Sequence, residues 1–157
     1  MSRFEQLRGW HLEQKKKVSD YWDSLQQAAE MLRQGYSEYL EAPVDGWVDT
    51  RNKQRDYVSL ANKVGYDYED VSYHQLKGAE SWLDFHVGVA LDEAAYQFPK
   101  RRIYVHLFMK KEGGSYFVKC DAPFFSIRAT NSANGPDFEE AYEKLFEAVR
   151  KELSYRP

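Results

Sequence analysis

In residues 83–91 and 102–110 apolar side chains recur at every second position, and this period of two constrains the fold more than any other feature. In the first run Leu83, Phe85, Val87, Val89 and Leu91 alternate with Asp84, His86, Gly88 and Ala90. In the second, Ile103, Val105, Leu107 and Met109 alternate with Arg102, Tyr104, His106, Phe108 and Lys110. Successive side chains of a strand point to opposite faces, so each run predicts a half-buried strand. Further strands are predicted at 115–121 and 124–129.

Gly113 and Gly114 tolerate the positive φ that a tight hairpin needs. If they form a two-residue loop, Met109 faces Val118 and Leu107 faces Cys120, apolar against apolar. A three-residue loop sets Met109 against Phe117 and Leu107 against Lys119. A slip of one residue sends a whole apolar set to the wrong face, so a loop of two or four residues is expected.

Outside this region the period is that of a helix. Val18, Tyr21, Trp22, Leu25, Ala28, Ala29, Leu32, Tyr36, Tyr39 and Leu40 form one stripe and predict a helix over 18–40. Ala42-Pro43 stops it, because proline lacks a donor and restricts its predecessor. Phe4, Leu7 and Trp10 read as an earlier turn or two, set apart by a solvated break at Lys15-Lys16-Lys17. At the other end Phe138, Ala141, Leu145, Ala148, Val149 and Leu153 predict a helix over 137–153. Asp137 and Glu140 read as its capping box, and Arg150 and Lys151 suit the negative end of its dipole.

Residues 44–81 have a weaker pattern. Trp47 to Thr50 reads as a short strand, 54–64 as a helix ending at Gly65 with a strand as the alternative, and 65–70 as a loop. The whole is expected to be one α+β domain over 1–157. Its antiparallel sheet of four or more strands packs with a long N-terminal helix and a C-terminal helix.

Composition narrows the functional classes. At 157 residues with 43% hydrophobic content the chain can bury a core without staples. Its one cysteine, Cys120, allows no intramolecular disulfide and shares a predicted core face with Val118, which marks an inert thiol. Residues 1–6 lack the apolar run of a signal peptide, and the apolar block 87–91 is too short to span a bilayer. A cytoplasmic protein with no membrane partner is expected. The net charge is −3, from 22 basic and 25 acidic residues. That balance lacks the basic excess of a phosphate-neutralising protein, so nucleic acid is not the expected partner.

The second face of the predicted sheet carries Asp84, His86, Tyr104, His106 and Phe108, joined through the hairpin parity by Phe117, Lys119 and Asp121. Phe124 and Arg128 are placed there too. The register sets His106 opposite Asp121, a pairing that suits general acid–base work. Its plain alternative is cross-strand packing worth about 0.2–1 kcal/mol. His86 and His106 match no metal spacing and no third ligand joins them, so neither metal nor cofactor is expected. Aromatics on a sheet also have the make-up of a stacking platform for single strands, and Lys100, Arg101, Arg102, Lys110, Lys111 and Lys119 make it locally basic. The RNA-recognition signature is absent. Phosphate-cradling loops and nucleophile elbows are absent too, which tips the balance toward a non-enzymatic role.

Tyr66, Asp67, Tyr68, Glu69, Asp70 and Tyr73 combine carboxylates with the side chain most enriched at interfaces. They point to a small protein-binding domain of the inhibitor, immunity or adaptor kind, occluding a basic protein partner. The alternative is a small enzyme or ligand-binding domain working through His86, Tyr104, His106 and Asp121.

Overall fold

A computed structural model describes residues 1–93 and 101–154. Lys100, counted above among the basic residues, lies outside them. Helix α1 runs from Arg3–Tyr39 and is followed by β1 (Trp47–Val48), β2 (Gln54–Arg55), β3 (Val58–Val64) and β4 (Asp67–Val71). A single 3-10 turn at Tyr73–Gln75 leads to β5 (Lys77–Ala79), β6 (Trp82–Leu91), β7 (Arg101–Glu112) and β8 (Ser115–Asp121). The chain closes with β9 (Phe124–Ser132), β10 (Gly135–Pro136) and α2 (Glu139–Leu153). This is the α+β arrangement the periodicities predict, with eight antiparallel strands in the main sheet among the described residues.

The strand order is β10-β9-β8-β7-β6-β3-β4. β3 pairs only part of β6, from Val58 opposite Val89 to Ala61 opposite His86. β5 takes over the rest, with Lys77 opposite Asp84 and Ala79 opposite Trp82. The hairpin of β7 and β8 has the predicted register: Met109 faces Val118 and Phe108 faces Lys119, with Gly113 and Gly114 at φ 58° and 78°. The next hairpin turns at Ala122-Pro123, a cis peptide.

Both helices pack on one face. Leu25, Ala28, Ala29, Leu32 and Tyr36 of α1, with Ala141, Leu145 and Ala148 of α2, meet Phe85, Val87, Leu107, Met109, Val118 and Ile127 of the sheet. Full burial of a Leu or Phe side chain contributes about 1.5–3 kcal/mol, so this layer dominates stability. The helices meet closely at Gly35, where a side-chain carbon would fall on the Tyr142 hydroxyl and 2.7 Å from its Cζ.

Four local expectations are corrected. Residues 54–64 hold β2 and β3 rather than a helix, and in β3 Val58 and Leu60 face the core opposite Val89 and Val87 while Ser59 and Ala61 face the other way. Tertiary pairing here overrides a local pattern that either period fits. The segment 65–70 is not a loop: Gly65, at φ 64°, and Tyr66 turn the chain, and β4 pairs back onto β3. Its polarity belongs to a sheet edge. Helix α1 does not break at Lys15-Lys16-Lys17, since lysine is a good helix former. Its start is closed by a capping box between Ser2 and Glu5. At α2 the N-cap residue is Phe138, and Asp137 accepts the Glu139 N–H from one position further out. Among the described residues no helix is long and apolar enough to cross a membrane.

Candidate functional site

The face of the sheet away from the helices is built by alternation. Even-numbered residues of β4, β6 and β7 and odd-numbered residues of β3 and β8 point to it. Across its middle run Asp70, Ala61, His86 and His106, one from each neighbouring strand. Beside them stand Ser59, Gly88 and Tyr104 on one side, and Lys63 with Tyr68 on the other.

Tyr68 on β4 and Tyr104 on β7 are separated by two strands, yet their rings stack 4.1 Å apart and 9° from parallel. Neighbouring strands lie about 4.8 Å apart, so the rings meet only by lying flat across β3 and β6. Small residues make that possible. Ala61 and Gly88 lie beneath, and a side-chain carbon at Gly88 would stand 2.6 Å from the Tyr104 ring. His86 meets the Tyr68 ring edge-on at 5.0 Å and stacks on His106 at 4.2 Å. His106 in turn leans on Phe108 at 4.4 Å. A run of aromatic and imidazole rings therefore spans the sheet.

Polar contacts fix the ends of this run. Asp70 accepts hydrogen bonds from Arg55 Nη1 at 3.1 Å, Ser59 Oγ at 3.2 Å and Tyr104 Oη at 3.3 Å. Arg55 Nε also donates to Asp49 Oδ2 at 2.8 Å. Burial pushes the Tyr104 phenol up from its ordinary value. At the other end His106 Nε2 lies 2.5 Å from Asp84 Oδ1. The ammonium of Lys119 sits over Trp82 at 4.5 Å and over Phe108 at 5.2 Å, and Lys110 sits over Trp82 at 5.0 Å. Such cation–ring contacts hold lysines flat against the face.

His86 is buried, and among the described residues its Nδ1 has no hydrogen-bond partner. Burial first, and then the His106 and Lys63 charges, lower its pKa to about 4, so it is neutral at pH 7. A neutral imidazole that is short of a partner can accept or donate one further bond. In front of it lies an open concavity of about 800 Å³ between β3 and β5, walled by Asn62, Lys63, Tyr68, Lys77, Asp84 and His106. The wall exists because β3 leaves β6 at Ala61 and β5 replaces it further along.

The residues singled out from the sequence divide between these places. His86, Tyr104 and His106 come together on the open face. Asp121 is exposed at the end of β8, and the carboxylate that meets His106 is Asp84. The ladder of β7 with β8 runs only as far as Phe108 and Lys119. Stacked rings 10° from parallel aim their nitrogens along similar planes, not at one centre. No group of three His, Cys, Asp or Glu among the described residues is placed to hold a metal ion. Cys120 is buried in the core.

The acidic segment is split by its own pleat. Tyr68 and Asp70 turn inward to the open face, and Tyr73 packs half-buried against the core. Tyr66, Asp67 and Glu69 remain exposed at the edge, Tyr66 almost completely. Arg55, Asp49, Ala61 and Lys63 are site residues that the sequence pattern did not single out. Reading 54–64 as a strand would have put Ala61 and Lys63 on this face by parity. Compared with protein-family models, with curated proteins and with solved structures, the chain matches none.

Proposed function

We propose that this protein is a ligand-binding domain whose site is the open face of the sheet. The ligand is a planar ring bearing an anionic group. The observation that carries the reading is the concavity over His86 and His106, bounded by stacked rings and by Lys63 and Lys77. Flat rings offer stacking area at low entropic cost, and ammonium groups beside them select a carboxylate or phosphate. A concavity of this size has room for a small molecule, and its convergent polar groups would orient it. Occlusion of a protein partner through the acidic segment has less support, since that segment is an edge strand with Tyr68 and Asp70 turned into the site.

The test is a titration of the full chain with planar aromatic carboxylates and mononucleotides, followed by chemical shifts of the Tyr68, Tyr104, His86 and His106 rings. Saturable shifts at these four rings, weakened at least tenfold by Tyr68→Leu and by Lys63→Gln, are the expected result. Shifts confined to Tyr66 and its neighbours, or binding unchanged in both variants, would move the site off this face.

A further inference from the structure

Helix α1 is longer than the sheet it covers. Every residue from 1 to 20 is exposed, and among the described residues the first hydrogen bond from α1 to another element is that of Tyr21, whose hydroxyl donates to Ser81 O at 2.6 Å. At about 1.5 Å per residue the free part extends about 27 Å beyond the domain. It carries large apolar groups into solvent: Phe4 is 66% exposed, Leu7 57% and Trp10 61%. Apolar surface held out in a regular helix needs an explanation that scattered surface residues do not.

The pattern of this overhang is ordered. Phe4, His11 and Val18 are seven residues apart, with Leu7 and Gln14 three residues after the first two. This is the a/d spacing of a two-helix seam, and in the docked half it continues through Tyr21, Leu25, Ala28 and Leu32. The positions that flank the seam are Arg3, Trp10 and Lys17 on one side and Arg8 and Lys15 on the other. Every charged flank is basic, and the Arg8 guanidinium lies over the Phe4 ring at 5.1 Å. Glu5, Glu13 and Asp20 all lie away from the seam.

From this arrangement we infer that the α1 overhang is a docking arm for an acidic amphipathic helix of another protein. The partner's apolar stripe packs on Phe4, Leu7 and Val18, and its flanking carboxylates face Arg3, Arg8, Lys15 and Lys17. Flanking charges select the partner in such pairings. A second copy of this chain is disfavoured, because parallel and antiparallel pairings both set basic flank against basic flank. A lipid surface would meet the same apolar and basic residues, and binding to vesicles distinguishes it from a helix.

The experiment uses the full chain and two labelled helical peptides, both with Leu at the a and d positions. One carries Glu at the flanks and the other Lys. Fluorescence anisotropy should show the acidic peptide binding at least tenfold more tightly than the basic one. Leu7→Ala with Trp10→Ala should weaken it about tenfold without moving the melting temperature, because both side chains are more than half exposed. Arg8→Glu with Lys15→Glu and Lys17→Glu should reverse the preference. Equal binding of both peptides, or a preference that survives the charge reversal, overturns the inference. So does tighter binding to phosphatidylserine vesicles, or a dimer in sedimentation that Leu7→Ala abolishes.

Discussion

The imidazole of His86 lies against that of His106 with centroids 4.2 Å apart and planes 10° from parallel. The two residues are direct partners across β6 and β7, yet their environments differ. His106 has the Asp84 carboxylate at Nε2, while His86 is buried and its Nδ1 has no partner among the described residues. A proton on His86 would therefore sit on a buried ring beside a second imidazole and near Lys63, with the Asp84 charge offsetting only part of that cost.

That relationship sets a pH dependence. In the unfolded chain a histidine titrates near 6.5, whereas in the folded chain His86 resists protonation until about pH 4. Between these values the unfolded state holds the extra proton, so stability is lost as pH falls through the window. A tenfold change in proton affinity is worth about 1.4 kcal/mol, and relaxation around the ring offsets part of the total, which leaves a contribution on the order of 2 kcal/mol. Chemical denaturation at pH 7 and pH 4.5 should show a smaller loss for His86→Gln than for the parent. Equal losses would mean that His86 is hydrated in the folded state.

Gly35 should reverse a familiar sign. Gly to Ala inside a helix ordinarily stabilises by about 0.5–1 kcal/mol. Here the new methyl would fall on the Tyr142 hydroxyl, so Gly35→Ala is expected to destabilise by about 1–3 kcal/mol. Adding Tyr142→Phe should restore part of that loss. Thermal melts of the single and double variants check both statements.

Neighbouring carboxylates on β4 should behave differently. Asp70 takes three hydrogen bonds from Arg55, Ser59 and Tyr104, so Asp70→Asn should cost about 1–2 kcal/mol and free the Tyr104 ring. Glu69 is exposed on the other side of the pleat, and Glu69→Gln should change stability by less than about 0.5 kcal/mol. Equal effects in urea denaturation would argue against the assigned strand facing.

Leu107 is fully buried in a strand flanked on both sides. Leu107→Ala should lower stability by about 2–5 kcal/mol, from lost transfer energy and the cavity left behind. A loss below about 1 kcal/mol would mean that the core collapses around the gap.

Most of the sheet was legible because its strands have one dry face and one wet face, and alternation records that difference residue by residue. The register of β7 with β8 follows from parity alone, since a slip exposes Met109 and Val118 together. The docked half of α1 and all of α2 were legible for the matching reason at period 3.6. Residues 54–71 were not, because β3 is too short to separate the two periods and β4 is an edge whose side chains need not be apolar.

For the site, local sequence determined which residues share a face: His86, Tyr104, His106, Phe108 and Lys119. Tertiary structure alone decided which of them touch. Tyr68 reaches Tyr104 over Ala61 and Gly88 only because β3 inserts between β4 and β6, and no short-range pattern records that order. His106 takes Asp84 rather than Asp121 because the ladder with β8 ends at Phe108, leaving the carboxylate of β6 within reach. Periodicity is set by burial, which each residue reports for itself. Partner choice is set by strand order and by where pairing stops, and these belong to the whole chain.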